Sequence, residues 1–175
     1  SIEKSTGLPT VFMGLAVIEA IKRMGCDSVA AWCTYYPEAW RKGYVKFLEE
    51  GGIRVVGCEN FVSLGIYPSQ EVVLTQRPRQ LPMSVIYRGA KMVANRYPQA
   101  KCVVISGGGA FTMDILKHLE MDLGKCVISS SAAQFFEIFR RLGIFEPILG
   151  RGRLLASLER GDSLDNSTLH KVRPV

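Results

Sequence analysis

Three short segments of this sequence combine hydroxyl groups or glycines in a way that suits the binding of an anion. They are Thr34-Tyr35-Tyr36, Ser106-Gly107-Gly108-Gly109 and Ser129-Ser130-Ser131. Side-chain hydroxyls and backbone N–H groups are neutral hydrogen-bond donors, and several of them that converge on one place can hold a carboxylate. We therefore look first for anion chemistry, which requires a fold that brings these segments together.

The glycine run at 107–109 is the most informative of the three. Consecutive glycines let the backbone come close to a ligand and point successive N–H groups at it. A tight turn that needs positive φ would also explain the glycines, but we favour anion binding. The run lacks the lysine and the spacing of a P-loop, and it lacks the spacing of a dinucleotide fingerprint, so nucleotide binding is disfavoured.

The other two segments have simpler explanations that stay open. One tyrosine of the pair at 35–36 could pack on a sheet while the other is solvated, and this accounts for the pair as well as anion binding does. One serine of 129–131 is predicted to cap the helix that follows. Another could meet a substrate carboxylate, but capping alone would explain the run.

All three segments follow short apolar stretches that have the pattern of buried strands. The predicted strands are 27–33, 53–58, 101–106 and 126–129. Helices with apolar positions at helical spacing are predicted around them, at 10–24, from 37 to about 50, at 83–95, after 112 and after 130. Residues 59–82 show no clear period, and we expect a loop with a short helix there.

This alternation predicts an α/β fold in which helices cover both faces of a parallel sheet. Ligands of such sheets bind beyond the carboxyl ends of the strands.

Thr112 is predicted to cap the helix after it. The helix at 37–50 is predicted to turn Trp40, Tyr44, Phe47 and Leu48 inward. The last helix is predicted to bury Phe135, Ile138, Phe139 and Leu142.

Composition places the chain among ordinary soluble globular proteins, with 47% hydrophobic and 22% charged residues. No apolar run approaches the roughly 18 residues that cross a bilayer, and nothing resembles a signal peptide, so we expect a cytoplasmic protein and no membrane partner. The net charge of +6 comes from lysines and arginines that are scattered among acidic residues. We therefore expect no nucleic-acid partner, and a preference for small anions or a missing acidic segment explains the charge equally well.

The five cysteines are spread along the chain and lie in apolar runs: Cys26, Cys33, Cys58, Cys102 and Cys126. No pair has CxxC spacing, and the two histidines, His118 and His170, are far apart in sequence. Neither a disulfide framework nor a zinc site is predicted, and the cysteines are expected to be reduced, buried thiols.

Together the motifs resemble the arylmalonate decarboxylases and maleate isomerases of the aspartate/glutamate racemase superfamily. The matching segments are Gly7-Leu8-Pro9-Thr10, Thr34-Tyr35-Tyr36, Lys46-Phe47-Leu48-Glu49-Glu50, Ser63-Leu64-Gly65-Ile66, 104–114, 123–124, 127–131 and 150–155. The resemblance covers roughly residues 5–156 and is weak at 67–82. It is clearest at 104–114, which reads VISGGGAFTMD.

The resemblance implies two pseudo-symmetric flavodoxin-like lobes, each with a four-stranded parallel sheet, and an active site between them. Residues 26–143 would form the second lobe. Residues 1–25 would belong or link to an incomplete first lobe, and the tail 144–175 would return to it, with its last residues disordered. The chain also begins without Met, at what reads as the end of a helix closed by Gly7. We therefore expect that an N-terminal portion is absent from this sequence.

The resemblance further implies cofactor-free, metal-free decarboxylation, isomerisation or racemisation at the α-carbon of a small (di)carboxylate, through an enediolate. Tyr36 would donate its phenol proton, and the amides of Gly107 and Gly108 would form part of an oxyanion hole. The other residues expected to bind substrate are Thr34, Ser106, Gly109, Ser130 and Ser131. Assembly as a homo-oligomer is left open.

One departure from the family pattern concerns the proton donor. The family has Ser-Cys-Gly-Gly, with the cysteine as proton donor or nucleophile, and here that position is Gly107. Either a cysteine on the absent lobe does this work, or the chemistry differs, or it has been lost and the chain is a catalytically silent anion-binding protein. Cys33 is expected to be a buried structural thiol, and this polypeptide alone is expected to be inactive.

Overall fold

Four short apolar runs form the strands of one parallel sheet. In the computed structural model, which describes residues 2–75 and 81–159, the strands are β1 Ser28–Trp32, β2 Arg54–Glu59, β3 Cys102–Ile105 and β4 Cys126–Ser129. Their order in the sheet is β2-β1-β3-β4, and all three pairings are parallel. Every residue of β1, β3 and β4 is buried, as expected for strands that are covered on both faces.

Eight helices surround this sheet in the described part of the chain. They are α1 Ile2–Thr6, α2 Met13–Arg23, α3 Glu38–Glu50, α4 Gln70–Thr75, α5 Met83–Arg96, α6 Leu116–Leu123, α7 Ser130–Arg141 and α8 Arg153–Ala156. Helix α2 packs against α3 and α7, whereas α5 packs against α6. The chain moves outward from β1 to β2 through α3 and back from β2 to β3 through α5. Right-handed crossovers then put α3 and α5 on opposite faces, and the predicted α/β fold class is confirmed.

Several local predictions agree with the structure. The loop at 59–82 contains the short helix α4, and α1 ends at Gly7, whose φ is +69°. The predicted serine cap is Ser129, whose Oγ accepts a hydrogen bond of 3.1 Å from the N–H of Ala132. No helix among the described residues is long and apolar enough to span a membrane.

The predicted cap at Thr112 is wrong. Helix α6 begins at Leu116 with Ile115 at its N-cap position, and no side chain caps it. A turn closed by the N–H of Ile115 on the carbonyl of Thr112, at 3.1 Å, separates Thr112 from the helix. The Thr112 side chain is buried instead.

The predicted inner face of α7 is also wrong in part. Phe135 and Leu142 are 45% and 66% exposed, whereas Ala132, Ala133 and Phe136 are buried. Two small alanines let α7 lie close to α2 and β4, and Phe135 and Leu142 are turned outward while Phe136 stays inside. The guanidinium of Arg23 lies 5.1 Å from the centre of the Phe136 ring and holds that ring between the two helices.

Residues 1–25 and 144–175 are predicted to belong to another lobe, but their helices α2 and α8 pack on this sheet. Helix α2 contacts β4 and α7, and so does α8, whose Leu154 and Leu155 are buried. Residues 160–175, where a disordered end is predicted, lie outside the described residues. The domain boundaries at 25 and 143 stay predictions.

Candidate active site

The order of the strands opens a crevice at the carboxyl ends of the two central strands, β1 and β3. Strand β1 has β2 on one side and β3 on the other, so the connections leave β1 and β3 in opposite directions at their carboxyl ends. Ligands of parallel sheets bind at such a switch point. Trp32 at the end of β1 pairs with Ile105 at the end of β3. The segments 34–36 and 106–109 therefore leave the sheet side by side.

A cavity of about 380 Å³ lies at this position, within the range of small-molecule sites. It is bounded by the ends of β1 and β3 and by helices α2, α3 and α7. Four predicted site residues line it together: Tyr36, Ser106, Gly107 and Ser130. The rest of the wall consists of Met13, Gly14, Val17, Trp40, Gly43, Tyr44 and Phe47.

The other predicted site residues do not line this cavity. Gly108 is exposed, and Gly109 and Ser131 are half-buried beside it. Thr34 is fully buried and donates a hydrogen bond of 2.8 Å from Oγ1 to the carbonyl oxygen of Ser106. Thr34 thus ties the turn after β1 to the glycine run, and direct contact with a ligand stays a prediction for all four residues.

Thr34 has an unusual backbone for a β-branched residue, with a φ of +45°. Its side chain holds the carbonyl of Ser106, and its own carbonyl accepts a 2.9 Å hydrogen bond from the N–H of Phe61. A non-glycine residue in this region costs on the order of 1–3 kcal/mol, and such strain clusters at functional sites. The turn that carries Tyr36 is therefore held in a strained shape by its neighbours.

Gly107 occupies a place where no side chain fits. Its φ is +129°, and a Cβ built on it would lie 2.6 Å from Oγ1 of Thr34 and 3.2 Å from Cε1 of Tyr35. The family cysteine expected at this position would need the Thr34 side chain to shift. The sequence has glycine where the family has cysteine, and in the structure the neighbouring Thr34 and Tyr35 side chains occupy the space that a side chain at position 107 would need.

An aromatic stack holds the Tyr36 ring against α3. Tyr36 and Trp40 stack with ring centres 3.7 Å apart and an angle of 12°, and Trp40 and Tyr44 stack at 4.8 Å and 20°. Trp40 and Tyr44 are four residues apart on one face of α3, and Tyr36, which precedes the N-cap Pro37, adds its ring to the end of that row. Trp40, Tyr44 and Phe47 were predicted to turn inward, and they do so as part of the cavity wall.

Both tyrosines of the wall keep their protons at neutral pH. Burial raises the pKa of Tyr36 to about 12, with a further contribution from Tyr35. Burial also raises the pKa of Tyr44, while the Ser106 hydroxyl, close by but outside hydrogen-bonding geometry, acts weakly in the lowering direction. Both phenols are therefore available as neutral hydrogen-bond donors.

Tyr44 was missed as a site residue in the sequence. It is 8% exposed, it lines the cavity, and its hydroxyl has no hydrogen-bond partner among the described residues. A buried hydroxyl without a partner carries a desolvation cost that a ligand can offset. Its spacing of eight residues from Tyr36 is the signal in the sequence that could have found it.

The wall residues carry no charged side chain. The polar groups are the hydroxyls of Tyr36, Tyr44, Ser106 and Ser130 together with the backbone at Gly107. Met13, Val17 and Phe47 make the remainder apolar. Nothing in this wall is a usual metal ligand. The fold and cavity therefore define an α/β protein with an uncharged cavity, lined by neutral hydrogen-bond donors, at the switch point of a parallel sheet.

Comparison with known proteins identifies the family. The family described as "Arylmalonate decarboxylase" matches residues 1–155, and the chain belongs to it. The arylmalonate decarboxylase of Bordetella bronchiseptica is 27% identical over 143 residues, which cover 82% of this chain and 55% of that protein. This chain spans little more than half the length of that relative.

Solved structures agree with this assignment. A structure of unliganded arylmalonate decarboxylase is 27% identical and superposes with a TM-score of 0.75, covering 88% of this chain and 63% of the other. The maleate isomerase Iso from Pseudomonas putida S16 has a TM-score of 0.70 at 19% identity, covering 90% of this chain and 59% of the other, and shares the fold.

Proposed function

We propose that the protein carrying this chain is a cofactor-independent carboxy-lyase or isomerase that acts at the α-carbon of a small (di)carboxylate through an enediolate. The observation that carries the proposal is that Tyr36 and Gly107, which leave different strands, line one uncharged cavity. The family membership supports the reaction class, since related members are arylmalonate decarboxylases.

The first step is binding of one substrate carboxylate. The protonated phenol of Tyr36, the hydroxyl of Ser106 and the Gly107 backbone line the cavity and would supply the donors, whereas the Ser130 hydroxyl donates a 3.5 Å hydrogen bond to the carbonyl of Ile105. The unpartnered hydroxyl of Tyr44 adds a donor on the α3 side. A carboxylate held in this way keeps its full charge because no cation neutralises it.

The second step is loss of carbon dioxide, which departs from the α-carbon as a neutral molecule; a racemase would instead need a base to accept the α-proton, and the cavity wall carries no ionised one. The electron pair of the broken bond remains on the α-carbon and spreads onto the retained carboxylate, which becomes an enediolate. Preorganised donors stabilise this charge, and each is worth about 2.7–4 kcal/mol where a single donor has been removed from other enzymes. A second carboxylate placed against Met13, Val17 and Phe47 would be poorly solvated, which favours its departure.

The third step returns a proton to the α-carbon, and the resemblance assigns it to a cysteine. At Gly107 this chain has no such group, and a Cβ there would meet Thr34. This observation favours a second candidate function, in which the protein binds small carboxylates without turning them over.

Turnover and binding assays separate the two candidates. The protein carrying this chain would be incubated with arylmalonates, maleate and amino-acid enantiomers, and products followed by chiral chromatography and by deuterium uptake at the α-carbon. Turnover that Tyr36→Phe abolishes supports the enzyme. Calorimetric binding of phenylmalonate without turnover supports the silent binder, and absence of both rules out both candidates. Tyr87→Phe is the matched control, because the Tyr87 hydroxyl bonds Asp122 on α6 and does not line the cavity.

A further inference from the structure

Three buried thiols meet at the amino-terminal ends of the strands, opposite to the cavity at their carboxyl ends. The Sγ atoms of Cys26, Cys102 and Cys126 all lie within 4.8 Å of one another. Their residues are 8%, 0% and 5% exposed. The sequence spacing of these cysteines had given no reason to expect a metal site, so this cluster is a product of the fold.

The sheet itself aligns the three side chains. Cys102 and Cys126 are the first residues of β3 and β4 and pair in register, so they point to the same face. Cys26 lies in the turn between α2 and β1, where its N–H donates a 3.1 Å hydrogen bond to the carbonyl of Ile21. Because β1 and β3 are neighbours, the turn sets Cys26 beside Cys102.

The separations suit a metal ion bound by three sulfurs. Zinc–thiolate bonds are about 2.3 Å long, so three sulfurs around one ion lie about 3.8–4.0 Å apart. Sulfurs that are already within 4.8 Å of one another need to move by less than one bond length. Three thiolates prefer soft ions with a filled d shell over hard ions such as Mg²⁺ or Ca²⁺.

We infer that Cys26, Cys102 and Cys126 form a binding site for a thiophilic divalent metal ion of the Zn²⁺ and Cd²⁺ class. Each thiol releases its proton to solvent when its sulfur bonds the ion, and no electrons are transferred. Three thiolates and a divalent ion leave one net negative charge, whereas a monovalent ion would leave two. The divalent ion is favoured because a buried surplus charge is costly.

The charged groups nearest the cluster already have partners. Lys101 lies next to Cys102, and its Nζ is 2.9 Å from a carboxylate oxygen of Asp27, the neighbour of Cys26. On the α6 side, the Glu120 carboxylate accepts hydrogen bonds from the N–H groups of Val127 and Arg153, at 3.1 and 2.8 Å. Glu120 is thus already satisfied, and the three sulfurs remain the ligands.

A second group of cysteines, separate from the cluster, provides a control for a metal-binding experiment. Cys33, directly after β1, and Cys58, on β2, form a separate pair with Sγ atoms 3.3 Å apart. This pair offers only two sulfurs, and Cys58 is half-buried. The variant Cys58→Ser therefore removes a thiol without touching the cluster.

Titration of the reduced protein with Cd²⁺ tests the site through the ultraviolet absorption of cadmium–thiolate bonds. We expect one ion per chain, a rise in the melting temperature because the ion binds the folded state, and no change in Cys58→Ser. Cys26→Ala and Cys126→Ala should each weaken binding by at least roughly 10–100-fold, the loss that even outer-shell changes produce. Cd²⁺ should displace Zn²⁺ that was bound first, because the softer ion prefers sulfur ligands.

Several results would overturn the inference: no cadmium–thiolate band, a band lost in Cys58→Ser, or undiminished binding in either cluster variant that circular dichroism shows to be folded. If both cluster variants unfold, X-ray absorption of the cadmium complex of Cys58→Ser decides. Three sulfur neighbours support the site, and two or fewer overturn it. The outcome is independent of the proposed carboxylate chemistry, because the cluster lies at the amino-terminal ends of the strands and the cavity lies at their carboxyl ends.

Discussion

The phenol of Tyr36 can serve as a hydrogen-bond donor over the whole physiological pH range, since burial raises its pKa to about 12. Replacing Tyr36 by Phe leaves the ring stacked on Trp40 and removes only the hydroxyl. Hydrogen bonds to charged groups are worth about 1.5–3 kcal/mol, so we expect the affinity for phenylmalonate to fall at least tenfold in calorimetry. Unchanged affinity, with Tyr87→Phe also unchanged, would contradict carboxylate binding by this phenol.

Tyr44 gives a prediction in which stability and binding change in opposite directions. Its buried hydroxyl has no partner among the described residues, and leaving such a group unsatisfied costs about 1–3 kcal/mol. Tyr44→Phe should therefore raise the free energy of unfolding in urea and weaken phenylmalonate binding. A less stable variant would show that the hydroxyl already has a partner in the free protein.

Gly107 gives the sharpest structural prediction. Gly107→Ala combines an unfavourable φ of +129° with a contact of 2.6 Å to Oγ1 of Thr34, and we expect a loss of more than about 2 kcal/mol in urea unfolding. Gly124→Ala is the control, because its φ is +63° and nothing lies within 4 Å of the added Cβ. Its loss should be smaller, of about 1 kcal/mol.

A double-mutant cycle isolates the contact itself. Adding Thr34→Ala to Gly107→Ala removes the atom that the new Cβ meets, so the double variant should lose less stability than the sum of the single losses. Strict additivity would mean that the backbone angle, and not Thr34, excludes a side chain at this position.

At the scale of elements, two glycines in helices distinguish the effect of close packing on stability from the effect of helix propensity. A Cβ at Gly89 in α5 would lie 2.3 Å from the buried ring of Trp32 on β1, whereas one at Gly43 in α3 would meet nothing within 4 Å. We expect Gly89→Ala to lower the melting temperature and Gly43→Ala to raise it, because alanine is favoured over glycine in helices by about 0.8–1 kcal/mol. Equal shifts would mean that α5 can move away from the sheet.

The elements were largely predictable from the sequence, and their faces were less so. Strands buried on both sides are continuous apolar runs, which is why β1, β3 and β4 were found almost to the residue. For α7 the apolar spacing predicts an inner face of Phe135, Ile138, Phe139 and Leu142, but Ala132, Ala133 and Phe136 occupy it, because a close approach to α2 needs the two small side chains. Helical periodicity cannot separate these two patterns when both are apolar.

At the scale of the whole molecule, strand order decides which residues meet. The sequence predicts parallel strands and places Tyr36 and Gly107 at strand ends, but neighbourhood in the sheet is a property of the complete fold. The same limit hid the cluster of Cys26, Cys102 and Cys126. Each of these cysteines stands at or before the start of a strand, and only the order β1-β3-β4 brings the three together.

Glu59 connects the two helical layers around the edge of the sheet. It ends β2 and is 6% exposed, with Arg41 of α3 at 3.4 Å, Arg96 of α5 at 3.0 Å, and the hydroxyl of Tyr97 donating to it at 2.6 Å. Burial by itself would raise the pKa of Glu59. The hydrogen bonds from Ser63, Tyr97 and Arg96 outweigh burial, so the pKa is lowered.

A lowered pKa in the folded protein predicts a specific pH dependence. The ionised carboxylate stabilises the fold above the ordinary pKa of glutamate, about 4.3, and this contribution is lost as the pH falls through the lower pKa of the folded state. Near neutral pH, Glu59→Gln should be less stable than the wild type by roughly 1.5–3 kcal/mol in urea unfolding. The difference should shrink steadily below the ordinary pKa, whereas Glu50→Gln, an exposed residue 3.7 Å from Lys46, should change little at any pH. A difference that stays constant or grows in acid would mean that Glu59 is protonated in the folded protein, and that its neighbours bind the neutral acid.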